Sequence, residues 1–433
     1  MVQFRVMAHA DGKASKGNGG SLRWSLPVAM MFPIFVAYVS RLNISFAINS
    51  IGLDYGWTLK EIGRNGGFLM SIFYVAYGLA CISLSPLAER LGPRKSLVIS
   101  VVVFSALTAL CAPLGMFFAA LVLLRVLNGI GQGIIYPMMN VLTKNWFPLH
   151  ERSRANGIWG AAAFLPMVIL PFILIPMIAS WGWRAMFLIT GGAGCVIALI
   201  PIIFYIRNSP GEHAKISPSE LSSINDGMEI EDGDADSMKV GMKKLLKVKT
   251  YRLMIIAGIL SDSLDFGLMS WFPIYLAKGR GLEASGLSFG TSVPYVFSII
   301  GIMIWGYIGD KTNKRAVMTT AGFFGAGIAL ALAAMSRSAG MAVAFLALTV
   351  FIKSSWSPHE FSFLQYIVPK SQTGAGIGFY TGVAVIFGGA LGPGIIGGAL
   401  ALTGSFAAAL FSLVALAFLG GAVMYIVSRN LKY

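Results

Sequence analysis

The sequence predicts an all-α membrane protein that crosses the bilayer twelve times. Only 12% of its 433 residues are charged and 56% are hydrophobic, whereas soluble domains are about 25% charged. Apolar stretches of about 20 residues recur along the chain, and each is long enough to cross a hydrocarbon core of about 30 Å. The stretches are continuously apolar rather than alternating, which favours helices over strands.

Glycine and proline interrupt many of these stretches, and small residues let membrane helices pack closely. The boundaries follow the limits of each apolar run. The predicted spans lie near residues 25–50, 66–88, 96–113, 116–143, 157–180, 184–206, 252–277, 286–308, 316–335, 340–366, 372–400 and 404–428.

The longest polar segment, residues 208–249, separates the first six spans from the last six. It contains an acidic run followed by a basic run, and we interpret it as a solvated linker with a membrane-surface segment. The predicted organisation is a tail at 1–24, a six-helix bundle at 25–207, the linker at 208–249, a second bundle at 250–428 and a tail at 429–433.

The formal net charge of +15 reflects membrane topology rather than nucleic-acid binding, because the basic patches are short and separated by lipid-length helices. If both termini share one side, that side carries 24 of the 33 Lys and Arg residues, the opposite loops carry 6 and the spans carry 3. Basic residues collect in cytoplasmic loops. The sequence therefore predicts a plasma (cell inner) membrane protein with cytoplasmic termini.

The N-terminal residues lack the features of a cleaved signal peptide, so we expect the first helix to act as the membrane signal. The three cysteines lie in apolar stretches without metal-ligand spacing. The sequence predicts no metal site and no cofactor, and we expect a monomer in the lipid bilayer.

One internal repeat follows the second and eighth spans. Each copy has an acid at a helix end and cations a few residues later, and the two acids are 221 residues apart, about half the chain. Two pseudo-symmetric six-helix bundles are therefore expected, as in transporters built from repeats. The residues concerned are Glu89, Arg90 and Arg94 in the first copy and Asp310, Lys314 and Arg315 in the second.

Both loops resemble the signature loop of the major facilitator superfamily. The first copy departs from the usual form, with Ser85 in place of a glycine and Glu89 in place of an aspartate. Glu89 still offers a carboxylate that can pair with a cation. The resemblance implies that these loops form a conformational latch on the cytoplasmic side in one transport state.

Four further motifs resemble the anion:cation symporter family, which includes sugar-acid permeases and vesicular glutamate transporters. This resemblance covers nearly the whole chain. It implies a secondary transporter that moves a small organic anion by alternating access. The motifs are Tyr38-Val-Ser-Arg41-Leu-Asn43, Asn145-Trp-Phe-Pro148 through Gly157, Trp181-Gly-Trp-Arg184, and Ser209-Pro-Gly-Glu212 through Pro218.

Six ionisable residues fall inside the predicted spans. Each costs roughly 2.5–3.5 kcal/mol at the bilayer centre on insertion scales, so each needs a function or a partner. They are Arg41, Arg125, Asp262, Asp265, Lys353 and Glu360.

Arg41 lies midway along the first span, and its planar guanidinium suits a two-point contact with a carboxylate. Tyr38 is three residues earlier, on the same helical face. The resemblance places both residues in the substrate cavity, so we predict that Arg41 anchors a carboxylate. The alternative is a structural ion pair with an acid on another helix.

Arg125 matches a family arginine that pairs with a nearby acid or tunes it. Proton-coupled relatives carry an aspartate just before the first-helix arginine and a glutamate seven residues after the fourth-helix arginine. This chain has Ser40 and Gln132 at those positions. Neither side chain carries a proton at accessible pH, which places the family route of proton symport in doubt.

Asp262 and Asp265 are separated by one helical turn and share a face. Two nearby carboxylates in a medium of low polarity can hold one proton between them, which would relocate the coupling site. Alternatively they neutralise Arg125 or Lys353, and a sodium site is a third possibility.

Lys353 adds a second cation, from the C-terminal half, opposite Arg41. Such an arrangement suits a dianion such as a dicarboxylate held between the halves. We expect Tyr74, Ser355 and Trp356 to complete the substrate wall. Glu360, with His359 before it, is either part of a proton relay or the start of the cytoplasmic exit.

The three acids and three bases in the spans are equal in number, so mutual neutralisation explains them without a proton. The prediction is therefore an exchanger or uniporter of a small organic anion, with proton symport through Asp262 and Asp265 as the alternative. A sensor with a transporter fold is an alternative of another class. An enzyme is not expected, because the glycine-containing motifs of intramembrane aspartyl proteases are absent.

Overall fold

A computed structural model of the chain describes residues 22–147, 155, 158–232, 242–312, 314–368 and 373–430. Residues 1–21, 431–433 and the 233–241 part of the linker, which includes the end of the acidic run and the start of the basic run, lie outside this part. Most of the motif that follows the fourth span, at 148–154 and 156–157, also lies outside it.

The N-terminal bundle contains the first six spans. Its longest helix has 40 residues, or about 60 Å at 1.5 Å per residue, twice the thickness of the hydrocarbon core. That helix breaks at Gly182, whose φ of 78° is not helical, so it provides two spans. The helices are α1 Ser25–Asp54, α2 Gly67–Leu91, α3 Pro93–Leu114, α4 Phe118–Gln132 with Ile135–Trp146, and α5 and α6, the parts of Leu165–Phe204 before and after Gly182.

The C-terminal bundle contains the other six spans, and its tenth helix is interrupted between Lys353 and Ser357. Together the two bundles confirm the twelve predicted spans, and the described residues form helices without strands. The helices are α7 Lys249–Ile274, α8 Ala284–Thr312, α9 Arg315–Met335, α10 Ala339–Lys353 with Ser357–Ile367, α11 Thr373–Thr403 and α12 Phe406–Asn430.

We call the end of the molecule at which α1 begins and α12 ends the terminal face, and the opposite end the distal face. The α5–α6 break lies at the distal face, where the indole of Trp183 donates a hydrogen bond of 2.9 Å to Asp54. Arg184 forms an ion pair with the same carboxylate. The Trp181–Arg184 motif thus joins α6 to the end of α1.

The two bundles contact each other along the distal half of the molecule. The Ser45 hydroxyl of α1 donates to the Ser270 carbonyl of α7. Between α5 and α8, the hydroxyl of Ser288 donates to the Pro171 carbonyl at 2.9 Å. These hydrogen bonds, with the packing of α2 against α11, hold the distal face closed.

Glycines on α11 allow it to pack against both α7 and α2. A Cβ atom at Gly392 would lie 2.2 Å from the carbonyl oxygen of Ser263 on α7. A Cβ atom at Gly397 would lie 2.4 Å from the carbonyl oxygen of Gly63, at the distal end of α2. Backbones at such distances leave no room for a side chain, as is usual where membrane helices meet through small residues.

We therefore expect Gly392→Ala to lower the thermal stability of the purified protein by about 1–3 kcal/mol, since the added methyl group forces α7 and α11 apart. Gly398→Ala is a matched control on the same helix, because a Cβ there has no neighbour within 4 Å. Thermal unfolding in detergent measures both. Equal stability of the two variants would contradict the close α7–α11 contact.

The motif that starts the linker anchors it to the N-terminal bundle. The Asn208 side chain accepts a hydrogen bond of 2.9 Å from the backbone amide of Arg94, and Glu212 accepts from the amide of Asn208. His213 packs against the rings of Trp146 and Tyr205. Burial, with nearby cations, lowers the pKa of His213, which favours the neutral imidazole beside these rings.

The following helix, Pro218–Asp232, is also docked at its start. Glu220 accepts hydrogen bonds of 3.1 and 3.0 Å from the backbone amides of Leu22 and Arg23. A carboxylate is favourable at that position because the first amides of a helix have no partner within the helix. The first part of the linker is therefore anchored to the N-terminal bundle at these contacts, while most of residues 211–225 are exposed.

Candidate functional site

A cavity of about 110 Å³ lies between the two bundles. The C-terminal bundle provides most of its wall, and α1 and the two residues just before α5 provide the rest. Its charged residues all come from the C-terminal side. The lining residues are Tyr38, Ala163, Phe164, Asp262, Asp265, Phe266, Leu268, Met269, Tyr295, Ser298, Val350, Lys353, Ser354 and Ser357.

Lys353 and Asp265 form an ion pair across this cavity wall. The Lys353 side chain is 6% exposed and the Asp265 side chain is 46% exposed, so the lysine is held inside while the carboxylate also faces the cavity. A buried ammonium without a counter-charge is strongly unfavourable. Asp265 therefore supplies the counter-charge for Lys353 in the membrane interior.

Asp262 and Glu360 have other surroundings. Asp262 lies one turn before Asp265 and packs against α11. A Cβ atom added at Gly388 of α11 would lie 2.5 Å from the Cβ atom of Asp262. Glu360 accepts a hydrogen bond of 2.7 Å from the hydroxyl of Tyr380 on α11. Neither carboxylate has an ion pair within the described residues. This bundle thus holds three intramembrane acids and one base.

Arg41 lies in the N-terminal bundle inside a cage of aromatic rings. Its guanidinium carbon is 4.4 Å from the ring centre of Tyr38 and 4.9 Å from that of Tyr77, with Phe73 and Tyr74 slightly further away. The rings attract the cation through their negative faces.

Arg41 is 5% exposed and donates one long hydrogen bond, of 3.4 Å, to the Gln132 side chain. Its Nε has no hydrogen-bond partner, and no carboxylate pairs with it among the described residues. A planar cation with an unpaired Nε is therefore present behind Tyr38, which lines the cavity.

Arg125 of α4 also contacts Phe73. Its guanidinium carbon is 4.6 Å from the Phe73 ring centre, and its Nε donates to the Leu69 carbonyl at 3.2 Å. In the described part of the chain, no acid pairs with it. Arg125 does not line the cavity.

The intramembrane charges are therefore segregated between the bundles. The N-terminal bundle holds two arginines without carboxylate partners in the described structure, and the C-terminal bundle holds the three acids with Lys353. Of the ion pairs that mutual neutralisation requires, the described residues form one, Lys353 with Asp265. The equal number of acids and bases does not by itself account for their positions.

The two positions that would carry protons in relatives are occupied by a neutral hydrogen-bond network. Ser40 bonds to the hydroxyl of Thr108 at 2.6 Å, and Gln132 donates to Asn128 at 2.7 Å. Asn128 in turn donates to Thr108 at 3.0 Å. This network orients Gln132 toward Arg41 and contains no titratable side chain.

Three residues predicted to complete the substrate wall lie outside the cavity lining. Tyr74 is buried between Arg41 and Phe266. The ring centres of Tyr74 and Phe266 are 4.5 Å apart. Ser355 and Trp356 face α9 instead. A Cβ atom at Gly322 would lie 2.0 Å from Ser355 Oγ, and the Trp356 ring packs 5.6 Å from that of Phe323.

The predicted latch residues are found at the terminal face. The Arg94 side chain donates to the carbonyls of Ile202 and Ile203 at the end of α6, so it is bonded within its own bundle. Glu89, Arg90 and Lys314 are exposed, and Arg315 begins α9. The side chain of Asp310 lies outside the described part, and the latch stays a prediction.

Two tyrosines at the site were not predicted. Tyr295 of α8 lines the cavity, and Tyr380 of α11 donates to Glu360. A tyrosine in an apolar helix carries no charge that would reveal it. Only its position opposite a charged residue on another helix gives it a role, and the sequence does not show that position.

Residues 30–393 match the model of the family described as the Major Facilitator Superfamily. The chain is 28% identical to a D-galactonate transporter of Escherichia coli, over 70% of this chain and 71% of that protein. It is 26% identical to a probable sulfoacetate transporter of Cupriavidus necator, over 87% of both chains.

Solved structures agree on the fold. A bacterial homologue of the human lysosomal transporter Spinster superposes with a TM-score of 0.77 at 16% identity, covering 95% of this chain and 98% of that one. At this level of identity the likeness concerns the arrangement of the helices alone.

Proposed function

Because this chain belongs to the Major Facilitator Superfamily, a family of transporters, we propose that it moves a small organic anion across the membrane by alternating access. One observation carries the proposal. Arg41 is a buried guanidinium beside the cavity, and in the described structure its Nε has no hydrogen-bond partner and no carboxylate pairs with it. A carboxylate of the substrate supplies the missing counter-charge with a two-point contact.

The positive-inside distribution of Lys and Arg assigns the terminal face to the cytoplasm. The closed distal face then separates the cavity from the outside, and the substrate exchanges with the cytoplasm in this state. The protein works as a monomer in the cell inner membrane. The latch loops engage when the cytoplasmic side closes.

The structure changes the proposed substrate from a dianion to a monoanion with hydroxyl groups. The dianion was predicted because Lys353 offered a second cation, but Asp265 already pairs with that lysine. Asp262 and Asp265 both line the cavity, and they repel a second carboxylate while accepting hydrogen bonds from hydroxyls. A relative that transports D-galactonate supports a sugar acid, whereas sulfoacetate represents the rival dianion class.

Exchange or uniport is the mode that the N-terminal bundle supports. Arg41 has neutral residues at both positions where proton-coupled relatives carry acids, and those residues bond to one another. With no proton carrier beside the anchor, the anion moves down its own gradient or against a counter-anion.

Proton symport is the second candidate, and the three carboxylates of the C-terminal bundle favour it. With only Lys353 to balance them, two of the three intramembrane carboxylates described in this bundle have no intramembrane counter-charge there. Protons on Asp262 or Glu360 would lower the free-energy cost of holding these carboxylates inside the membrane. Protonation of Asp265 would release Lys353 to the substrate, which links a proton to anion binding.

Uptake into proteoliposomes tests the proposed function. We expect labelled D-galactonate or a related sugar acid to enter vesicles that contain the protein, and unlabelled substrate inside to accelerate entry by counterflow. Sulfoacetate should compete more weakly. Binding without uptake or counterflow would instead indicate a sensor with a transporter fold, and preference for sulfoacetate would support the dianion class.

An imposed inward proton gradient separates the two modes. Exchange or uniport predicts uptake that stops at equilibrium with or without the gradient. Accumulation above equilibrium that Asp262→Asn with Asp265→Asn abolishes, while counterflow persists, would establish proton symport through these residues.

A further inference from the structure

Tyr295 is a buried tyrosine of α8 in the wall of the cavity. It is 6% exposed, and its ring packs 5.6 Å from that of Phe272. Its hydroxyl oxygen is buried and has no hydrogen-bond partner among the described residues. Phenylalanine would fill the same space without this polar group, so the hydroxyl itself needs an explanation.

Four other hydroxyl groups at or beside the cavity are paired with one another. Ser298 and Ser354 bond to each other at 2.9 Å, and Tyr38 bonds to Tyr136 at 3.2 Å. Of the cavity-lining residues in the described part, only Tyr295 has a buried side-chain oxygen or nitrogen atom without a hydrogen bond. Buried polar groups nearly always have a partner, so the missing partner is expected to come from a bound molecule.

We propose that Tyr295 and Asp265 form a hydroxyl-recognition subsite for the carbon chain of the substrate. Tyr295 and Asp265 both line the cavity, and the Asp265 side chain is 46% exposed. A substrate hydroxyl donates to the carboxylate and accepts from the tyrosine, so both of its hydrogen-bonding functions are used. This subsite rests on the proposed transport of a hydroxylated monoanion.

The subsite gives the two bundles different tasks. Arg41 in the N-terminal bundle binds the carboxylate of the substrate, and Tyr295 in the C-terminal bundle reads a hydroxyl further along its chain. An analogue that lacks this hydroxyl leaves the buried tyrosine unpaired, which is how polar sites reject molecules that lack a hydrogen-bonding group. Selectivity among organic anions therefore depends on Tyr295.

Binding of D-galactonate, D-gluconate and their monodeoxy analogues to the purified full-length protein tests the subsite. We expect one deoxy position to weaken binding to the wild type by about tenfold or more. Tyr295→Phe should weaken binding of the parent sugar acid by about the same factor. The variant should no longer distinguish the parent from the analogue that lacks this hydroxyl. For the other deoxy analogues, the ratio of parent affinity to analogue affinity should stay as in the wild type.

Tyr275→Phe is the matched control. Tyr275 is a buried tyrosine whose hydroxyl donates to the Ala333 carbonyl at 3.0 Å, away from the cavity lining, so its loss should leave the ratios unchanged. Sugar-acid binding with equal discrimination in wild type and Tyr295→Phe would overturn the subsite alone. Failure of both sugar acids to bind the wild type would overturn the proposed substrate class and the subsite with it.

Discussion

Replacement of Arg41 by lysine is expected to lower substrate uptake by about 100-fold or more, although the positive charge is kept. The ammonium group is a point charge and cannot form the two parallel hydrogen bonds that a guanidinium forms with a carboxylate. It also stacks less well on the rings of Tyr38 and Tyr77, which lie 4.4 and 4.9 Å from the guanidinium carbon. Losing a partner of a buried, hydrogen-bonded charge typically costs 2–5 kcal/mol.

Initial uptake rates and substrate binding in Arg41→Lys measure this effect. Arg184→Lys is the control, because Arg184 is an arginine at the distal face whose side chain is 45% exposed and paired with Asp54, a kind of pair that contributes little. Uptake by Arg184→Lys should stay within about twofold of the wild type. Uptake by Arg41→Lys at the wild-type rate would assign Arg41 to packing rather than to substrate binding.

The twelve spans were predictable because the bilayer sets a minimum length for every helix that crosses it. Local breaks were less evident. Gly182 has a positive φ and ends α5, although helical hydrogen bonding continues on both sides of it. The sequence marked the motif that contains Gly182 only through its resemblance to a family. Its physical role, contact with Asp54, is visible only in the structure.

The candidate charges were also predictable, since an ionisable residue is conspicuous in an apolar span. Their pairing was predicted only as one of several alternatives, because Lys353 and Asp265 lie on different helices and are 88 residues apart. Equal numbers of acids and bases suggested mutual neutralisation. The folded chain instead places both arginines in one bundle and the acids in the other.

The wall of the cavity was predicted only in part. Ser355 and Trp356 follow Lys353 directly, but α10 is interrupted between Lys353 and Ser357. Helical periodicity relates residues to a common face only while the helix continues. The interruption turns Ser355 and Trp356 toward α9, and no sequence period shows this rotation.

The Lys353–Asp265 pair also determines which class of anion the cavity accepts. While Asp265 neutralises the lysine, the acids around it make the cavity unfavourable for a second negative charge. Asp265→Asn removes the counter-ion and leaves Lys353, 6% exposed, as a buried cation that needs an anion. We therefore expect this variant to bind sulfoacetate and dicarboxylates more tightly relative to sugar acids, by about tenfold or more.

Competition by a monoanion and a dianion against the same labelled substrate measures this ratio in each variant. Combining Lys353→Gln with Asp265→Asn removes both charges and should return the ratio toward that of the wild type, while Asp262→Asn alone keeps the ion pair and should change the ratio less. This comparison separates the pairwise effect from the general loss of an acid. If Asp265→Asn destabilises the protein yet leaves the ratio unchanged, the pair has a structural role and does not set substrate charge. A change in the ratio that disappears in the double variant would show that Asp265 occupies Lys353 in place of a second substrate carboxylate.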